Sequence, residues 1–531
     1  MKWQSKEAAR DLLNEFVRWE SINGTVGEIE FPHRLKEKLL TLDYFKENDE
    51  HINLYDAGKE RQTLTALYES DKTAKTIVLM SHFDTVDATE YGEYEDYAFD
   101  PETLTKMYEA NVDDLPEHAR ADIRSQDYLF GRGTMDMKMG LVLHMQLLER
   151  AIVENWSINI LLVAVPDEEV NSAGMRAAVT GLVDLRKRFN LSYELFLNSE
   201  PSFAQTRTDE NYYIYSGTIG KIMPGALFYG RSTHAGDPLN GISSQYMMSY
   251  VTKAMEFNEA FFEESFGEKT PLPICLKSYD LKTEYTAQTS HHAAALFNVF
   301  LFEKSAEQVM ETFYKIAQEA LTECQDDYEA ICQKENVEPF GTIKVLTYEE
   351  LHTYALEKLG EETIHAIKQE IINNESFDER EMSIHICDAL MLNCPELAPA
   401  TVLFFAPPYY PAVNSSNNEL IQEKISLTQR LLQENFNIDV KQVHYFNGIC
   451  DLSYVNYDKH DTGWQAYQTN TPVWGDVYNI PFAHMQQLAA PVLNIGPFGK
   501  DAHQLTERLH KRSAFEYTPY VLCQVIKSMF D

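Results

Sequence analysis

Nowhere in this chain do the roughly 18 consecutive apolar residues needed to cross a bilayer run together. The N-terminal stretch MKWQSKEAARDLLNEFVRWES reads as an amphipathic helix, charged throughout and without an apolar h-region. Neither a signal peptide nor a membrane span is therefore expected. Cysteine is scarce: the seven (Cys275, Cys324, Cys332, Cys387, Cys394, Cys450, Cys523) are odd in number, absent from the first half and never in CxxC spacing. That excludes a disulfide framework and reads as reduced thiols in a cytoplasmic setting. Basic residues are few, 45 Lys and Arg against 82 Asp and Glu, for a formal net charge of −37. Nucleic acid and anionic membrane surfaces both need clustered Lys and Arg, so neither is expected as a partner. No internal repeat or low-complexity tract is found. What the 531 residues do contain is 44% hydrophobic and 12% aromatic content, ample for two globular domains.

Residues 1 to about 217 alternate helical and strand patterns, which predicts an α/β layer with a largely parallel sheet. TIVLM (76–80) runs into SHFDTV, INILLVAV (158–165) runs into PDEEVNSAG, and YELFLNSEPS (193–202) forms a third strand. MDMKMGLVLHMQLLERAI and SAGMRAAVTGLVDLRKRF have helical apolar spacing between them. From about 218 the pattern changes to strand, helix, strand, helix, with TVLFFAPPYY (401–410) as another strand and one more expected around 283–290. That order suits a compact α/β sandwich inserted at 218–412, carrying an acidic, mostly helical stretch near 324–398. From about 413 to 531 a helix and the strand PVLNIG return to the first pattern, so the insertion splits the first domain.

In an open α/β sheet the ligand crevice lies at the carboxyl ends of the strands. Histidine nitrogen and carboxylate oxygen, which hold divalent cations, recur at such ends in five separated places. His82 and Asp84 are spaced by two, which points both side chains to one face, and a carboxylate there can steady a ligating histidine. Asp136 follows the turn GRGT and opens a helix. Glu168 and Glu169 follow the second strand, Glu200 ends the third, and His503 lies in GPFGKDAHQLTE after the last. Singly, each has an ordinary explanation: a surface HxD, a solvated glutamate pair, a helix N-terminal acid, a capping histidine. Their coincidence at successive strand ends is much harder to explain that way.

The order SHFDTV, GRGTMDMKMG, PDEEVNSAG, NSEPS, GRSTHAGDPLNG and a late AHxxxE resembles the aminoacylase, acetylornithine deacetylase and succinyl-diaminopimelate desuccinylase family of two-zinc metallopeptidases. The match spans nearly the whole chain and looks closest to a longer, arginine-utilisation member. The resemblance implies a zinc-peptidase catalytic domain with an inserted lid and dimerisation domain, and two divalent metal ions, zinc by expectation with cobalt or manganese as alternatives. It implies that His82 and Glu200 hold one ion and Glu169 and His503 the other, with Asp136 bridging and a cis peptide at Asp136–Met137. Glu168 would be the general base, Asp84 would orient His82, and His234 in GRSTHAG would stabilise the developing oxyanion, often in a partner's site, so a homodimer is carried as an expectation.

The expected reaction is hydrolysis of an amide bond in an N-acyl amino acid or short peptide, linked through the resemblance to arginine or ornithine metabolism. A di- or aminopeptidase and, in another class, an inactive metal-binding scaffold are the alternatives. Family members that bind a substrate carboxylate commonly use an arginine in the inserted domain; here NVFLFEK puts Lys304 near that place, and lysine is a poorer bidentate clamp.

Overall fold

A computed structural model of the chain describes residues 1–205, 209, 211–282, 284–458 and 460–530. They form two compact units: Met1–Thr218 with Val413–Lys459 and Pro481–Asp531, and Ile219–Ala412 with His460–Ile480. All seven cysteines are unpaired thiols, six of them buried. No helix among the described residues is long and apolar enough to cross a membrane.

The first unit is built on an eight-stranded, mostly parallel sheet. Its order is Ile52–Asp56, Gln62–Tyr68, Asn159–Val165, Lys75–His82, Ser192–Asn198, Val492–Asn494, Tyr212–Tyr215, Val440–Val443. The central four strands are mutually parallel, with Ile52–Asp56 and Gln62–Tyr68 antiparallel at one side. Lys75–His82 (KTIVLMSH) is buried at every position after Lys75, the run expected of a strand covered on both faces. Helices Met139–Glu154 and Ala173–Arg188 follow the spacing read from the sequence, but the first begins at Met139, three residues after Asp136, rather than at Asp136 itself.

The second unit carries a five-stranded sheet in the order Ile274–Asp280, His292–Leu301, Gly220–Tyr229, Ala400–Tyr410, Lys344–Thr347. Helices Ser244–Met255 and Glu379–Asn393 pack on its strands. The strand expected around 283–290 lies instead at Ile274–Asp280, with residues 284–290 forming the connection to its partner; Thr283 falls outside the described residues. Ile274–Asp280 is a mostly exposed edge strand, so it lacks the apolar alternation that would mark it in sequence. The 324–398 stretch is mostly helical, and its strand Lys344–Thr347 pairs in parallel with Ala400–Tyr410. Residues 460–480, read with the returning first domain, cluster with the second unit. There Tyr467 stacks on Phe405, Phe405 N donates to Asn470 O at 2.8 Å and Tyr409 N to Tyr478 Oη at 3.0 Å.

Candidate metal centre

Three adjacent parallel strands end side by side, in the registers His82↔Val165 and Met80↔Asn198. Their carboxyl ends deliver His82 and Asp84, then Glu168 and Glu169, then Glu200 to one place, where open α/β sheets bind ligands. Asp136 arrives from the turn Thr134–Lys138 with non-helical torsions (φ −116°, ψ 99°), and the Asp136–Met137 peptide is cis. His503 arrives from the loop of the hairpin Phe498–Lys500/Arg508–His510.

His82 Nε2 lies 3.2 Å from Asp136 Oδ1, 3.6 Å from Glu200 Oε1 and 4.0 Å from Glu168 Oε2. His503 Nε2 lies 3.2 Å from Asp136 Oδ2 and 3.0 Å from a Glu169 carboxylate oxygen. Two three-donor groups result, His82–Asp136–Glu200 and Asp136–Glu169–His503, each with ligand atoms within 4.8 Å of one another. Asp136 belongs to both, one oxygen facing each histidine. Nitrogen and carboxylate oxygen in this number and spacing are a donor set suited to two divalent cations.

The electrostatics fit the same reading. Burial, then Asp451, Glu200 and Glu169, push Glu168 well above the usual carboxylate range against the pull of His82. Burial likewise raises Glu200, with Asp136 and Glu169 adding to it. Burial alone would lower His82, but Glu200, Asp136 and Asp84 raise it well above its ordinary value. His503 is pushed up to about 11 by its bonds to Asp136 and Glu169. Burial and mutual repulsion raise Glu168 and Glu200, and the carboxylates of the site in turn raise both imidazoles, a crowding of acidic groups that a pair of bound dications would relieve.

Several contacts of the site were not legible in the sequence. His82 Nδ1 donates to the Asp84 carbonyl at 3.1 Å and lies 3.5 Å from Asp84 Oδ1, while the Asp84 carboxylate accepts the backbone N–H groups of Glu168 (3.1 Å) and Glu169 (3.2 Å). It therefore steadies the glutamate pair as well as the histidine. Beneath the strands, buried His144 bridges Ser81 Oγ (2.6 Å) and Ser199 Oγ (2.9 Å), the residues that precede His82 and Glu200. Asp451 is buried beside this cluster and pushed up to about 7, by burial first. Arg61 binds Asp167, and Arg132, in the turn before Asp136, donates to Glu507 at 2.6 Å with both side chains fully buried. Glu507 closes the AHxxxE pattern, the one sequence signal for this pair.

His234 lies in the second unit, exposed, in an isolated bridge with Gln288, its Nδ1 accepting from Gly236 N at 3.0 Å. Lys304 is also there, its Nζ donating to the Phe262 carbonyl at 3.2 Å.

Comparison with known proteins gives the family. The model of peptidase family M20/M25/M40 matches residues 78–528. The chain is similar to the uncharacterized protein YqjN of Bacillus subtilis, 37% identical over 535 residues that cover 100% of this chain and 97% of the relative. It is also similar to protein RocB of Bacillus subtilis, 29% identical with 98% and 94% of the two chains covered. Among solved structures, the M20 metallo-carboxypeptidase Sso-CP2 from Sulfolobus solfataricus shares the fold at a TM-score of 0.57, with 11% identity over 97% of this chain and 98% of that one.

Proposed function

The chain belongs to peptidase family M20/M25/M40, a family of metal-dependent hydrolases, and on that premise we propose that it cleaves the amide bond of an N-acyl amino acid or a short peptide. The observation that carries this reading is the convergence of two three-donor groups on one shared aspartate. His82, Asp136 and Glu200 would hold one divalent cation and Asp136, Glu169 and His503 the other, with zinc as the expected metal and cobalt or manganese as alternatives. Bound there, the pair would supply Lewis acidity toward a carbonyl oxygen and make water acidic enough to lose a proton near neutral pH.

The protein's own groups divide the remaining work. Glu168 is in neither donor group, yet its Oε2 stands 4.0 Å from His82 Nε2 and its backbone is tied to Asp84. It takes the proton of the attacking water and returns it to the leaving nitrogen. Asp84 holds His82 and the glutamate pair in register. The role of His234 as donor to the developing oxyanion, in its own chain or in a partner's, rests on the GRSTHAG motif, as does the expected homodimer. The link to arginine or ornithine derivatives likewise rests on sequence resemblance, and with it a cytoplasmic location.

The test is elemental analysis of the purified protein beside hydrolysis of N-acetyl amino acids, including N-acetylornithine and N-acetylarginine, and simple dipeptides. About two metal ions per chain, with cleavage of one substrate class, is the expected result. Preference for a free over an acylated α-amine would move the assignment to a di- or aminopeptidase. No metal after reconstitution together with no turnover would remove the hydrolase reading.

A further inference from the structure

The His503 side chain is 45% exposed, against 1% for His82. Side-chain packing therefore does little to hold its ring, and the placement of its Nε2 falls on the backbone of loop 501–507. Asp501 (φ 58°) and His503 (φ 61°) both occupy the left-handed region there, which residues with a Cβ adopt at a cost and keep only where their surroundings hold them.

The groups that hold this loop come from a segment almost 400 residues earlier. Helices Pro101–Ala110 and Glu117–Ser125 make up most of it. Tyr108, fully buried, donates its hydroxyl to the Leu505 carbonyl at 2.8 Å. His118 Nε2 lies 2.9 Å from Asp501 Oδ2. Asp122 accepts from Arg508 Nε at 2.8 Å and from Lys500 Nζ at 3.0 Å, the residues at the two feet of the loop. Buried Arg508 turns inward to Asp501 and donates to the Thr506 carbonyl at 2.9 Å, while the Thr506 hydroxyl donates to Asp501 at 2.7 Å. The segment thus binds both feet and two positions of the loop, one on either side of His503.

We propose that the segment 101–125 is the positioning element for His503: through Tyr108, His118 and Asp122 it sets the loop at which the Asp136–Glu169–His503 group closes. This rests on the donor assignment made above. His82, Asp136 and Glu200 make none of these contacts, being placed by strand ends and by the turn before Met139. The signature of the segment is therefore unequal: loosening it weakens one metal-binding step and spares the other. A segment that merely stabilised the fold would move both together.

The experiment is calorimetric titration of metal-free, full-length protein with zinc chloride, for the wild type, Tyr108→Phe, His118→Ala and the double variant Tyr108→Phe/Asp122→Asn. One of two binding steps is expected to weaken by about tenfold or more in the double variant, as when a group supporting a metal ligand is lost, with the other within about twofold of wild type. Amide hydrogen exchange on the metal-free proteins should rise in 501–507 and stay unchanged in 75–82. Tyr108→Phe removes only a hydroxyl and His118→Ala only an exposed ring, so these keep the test readable should the double variant fail to fold. Equal weakening of both steps, or wild-type affinity and exchange in every folded variant, overturns the proposal. Wild-type protein that takes up no zinc would instead overturn the donor assignment, and the exchange measurement would still decide whether the segment holds the loop.

Discussion

His82 and His503 approach opposite oxygens of Asp136 at the same 3.2 Å, yet the two imidazoles are held by different means. His82 ends a strand buried on both faces, with its Nδ1 on the Asp84 carbonyl and His144 bridging the serines beneath. His503 stands half-exposed in a hairpin loop with a left-handed backbone, tied down by side chains from far along the chain. A donor on a central strand inherits its position from the sheet, whose ladder and core fix the backbone on both sides. A donor on a loop needs its position made separately. The comparison predicts that perturbations of the two halves are separable, except at groups that serve both.

The largest effect tests a residue that belongs to neither half. Glu168→Ala should lower kcat by about 10²–10⁴-fold, the usual contribution of a general base, with uptake at both metal-binding steps unchanged. Loss of bound metal in this variant would make Glu168 a donor and break the division into two groups. Asp84→Asn comes next. Because the Asp84 carboxylate lies 3.5 Å from His82 Nδ1 and accepts the backbone N–H groups of both Glu168 and Glu169, the substitution should weaken both steps by about 10–100-fold. Weakening confined to the step that uses His82 would show that the bonds of Asp84 to the glutamate pair carry no weight.

The smallest effect is a pH experiment on metal-free protein. His503 has its pKa raised to about 11, so the stability it contributes is fully present below the ordinary histidine value of 6.5 and is lost as pH rises toward 11. His144, buried and neutral, is pushed down to about 3, so its contribution is present above 6.5 and is lost as pH falls toward 3. Thermal midpoints followed across pH should therefore fall less steeply than wild type on acidification for His144→Gln, and less steeply on alkalinisation for His503→Ala. Parallel curves for wild type and both variants would remove the opposed electrostatics from the comparison.

The parts legible in the sequence were those that local pattern controls. Apolar β-rich runs such as TIVLM and INILLVAV mark the strands, and polar residues at their ends, His82, Glu168, Glu169 and Glu200, fall where an open sheet puts its crevice. Asp136 was found too, although the helical period of MDMKMG concealed the turn that aims it. The edge strand Ile274–Asp280 escaped because an exposed strand has no apolar alternation to show. Residues 460–480 follow the first domain in chain order yet cluster with the second unit, because chain order carries no information about the aromatic packing of Tyr467 on Phe405. His144 looked like one more position of an apolar helix, and nothing near Tyr108 in sequence points to Leu505.

By itself, the sequence determined the fold class and the family and pointed to the candidate donor residues, because residue type, strand periodicity and the order of motifs are local or linear properties of the chain. Only the tertiary structure decided that Asp136 faces both histidines, that Asp84 serves the glutamate pair, and that a helical segment at 101–125 grips the loop of His503. Those facts are distances between residues up to several hundred positions apart. No local spacing encodes them, and they come into being only when the sheet and its connecting loops close.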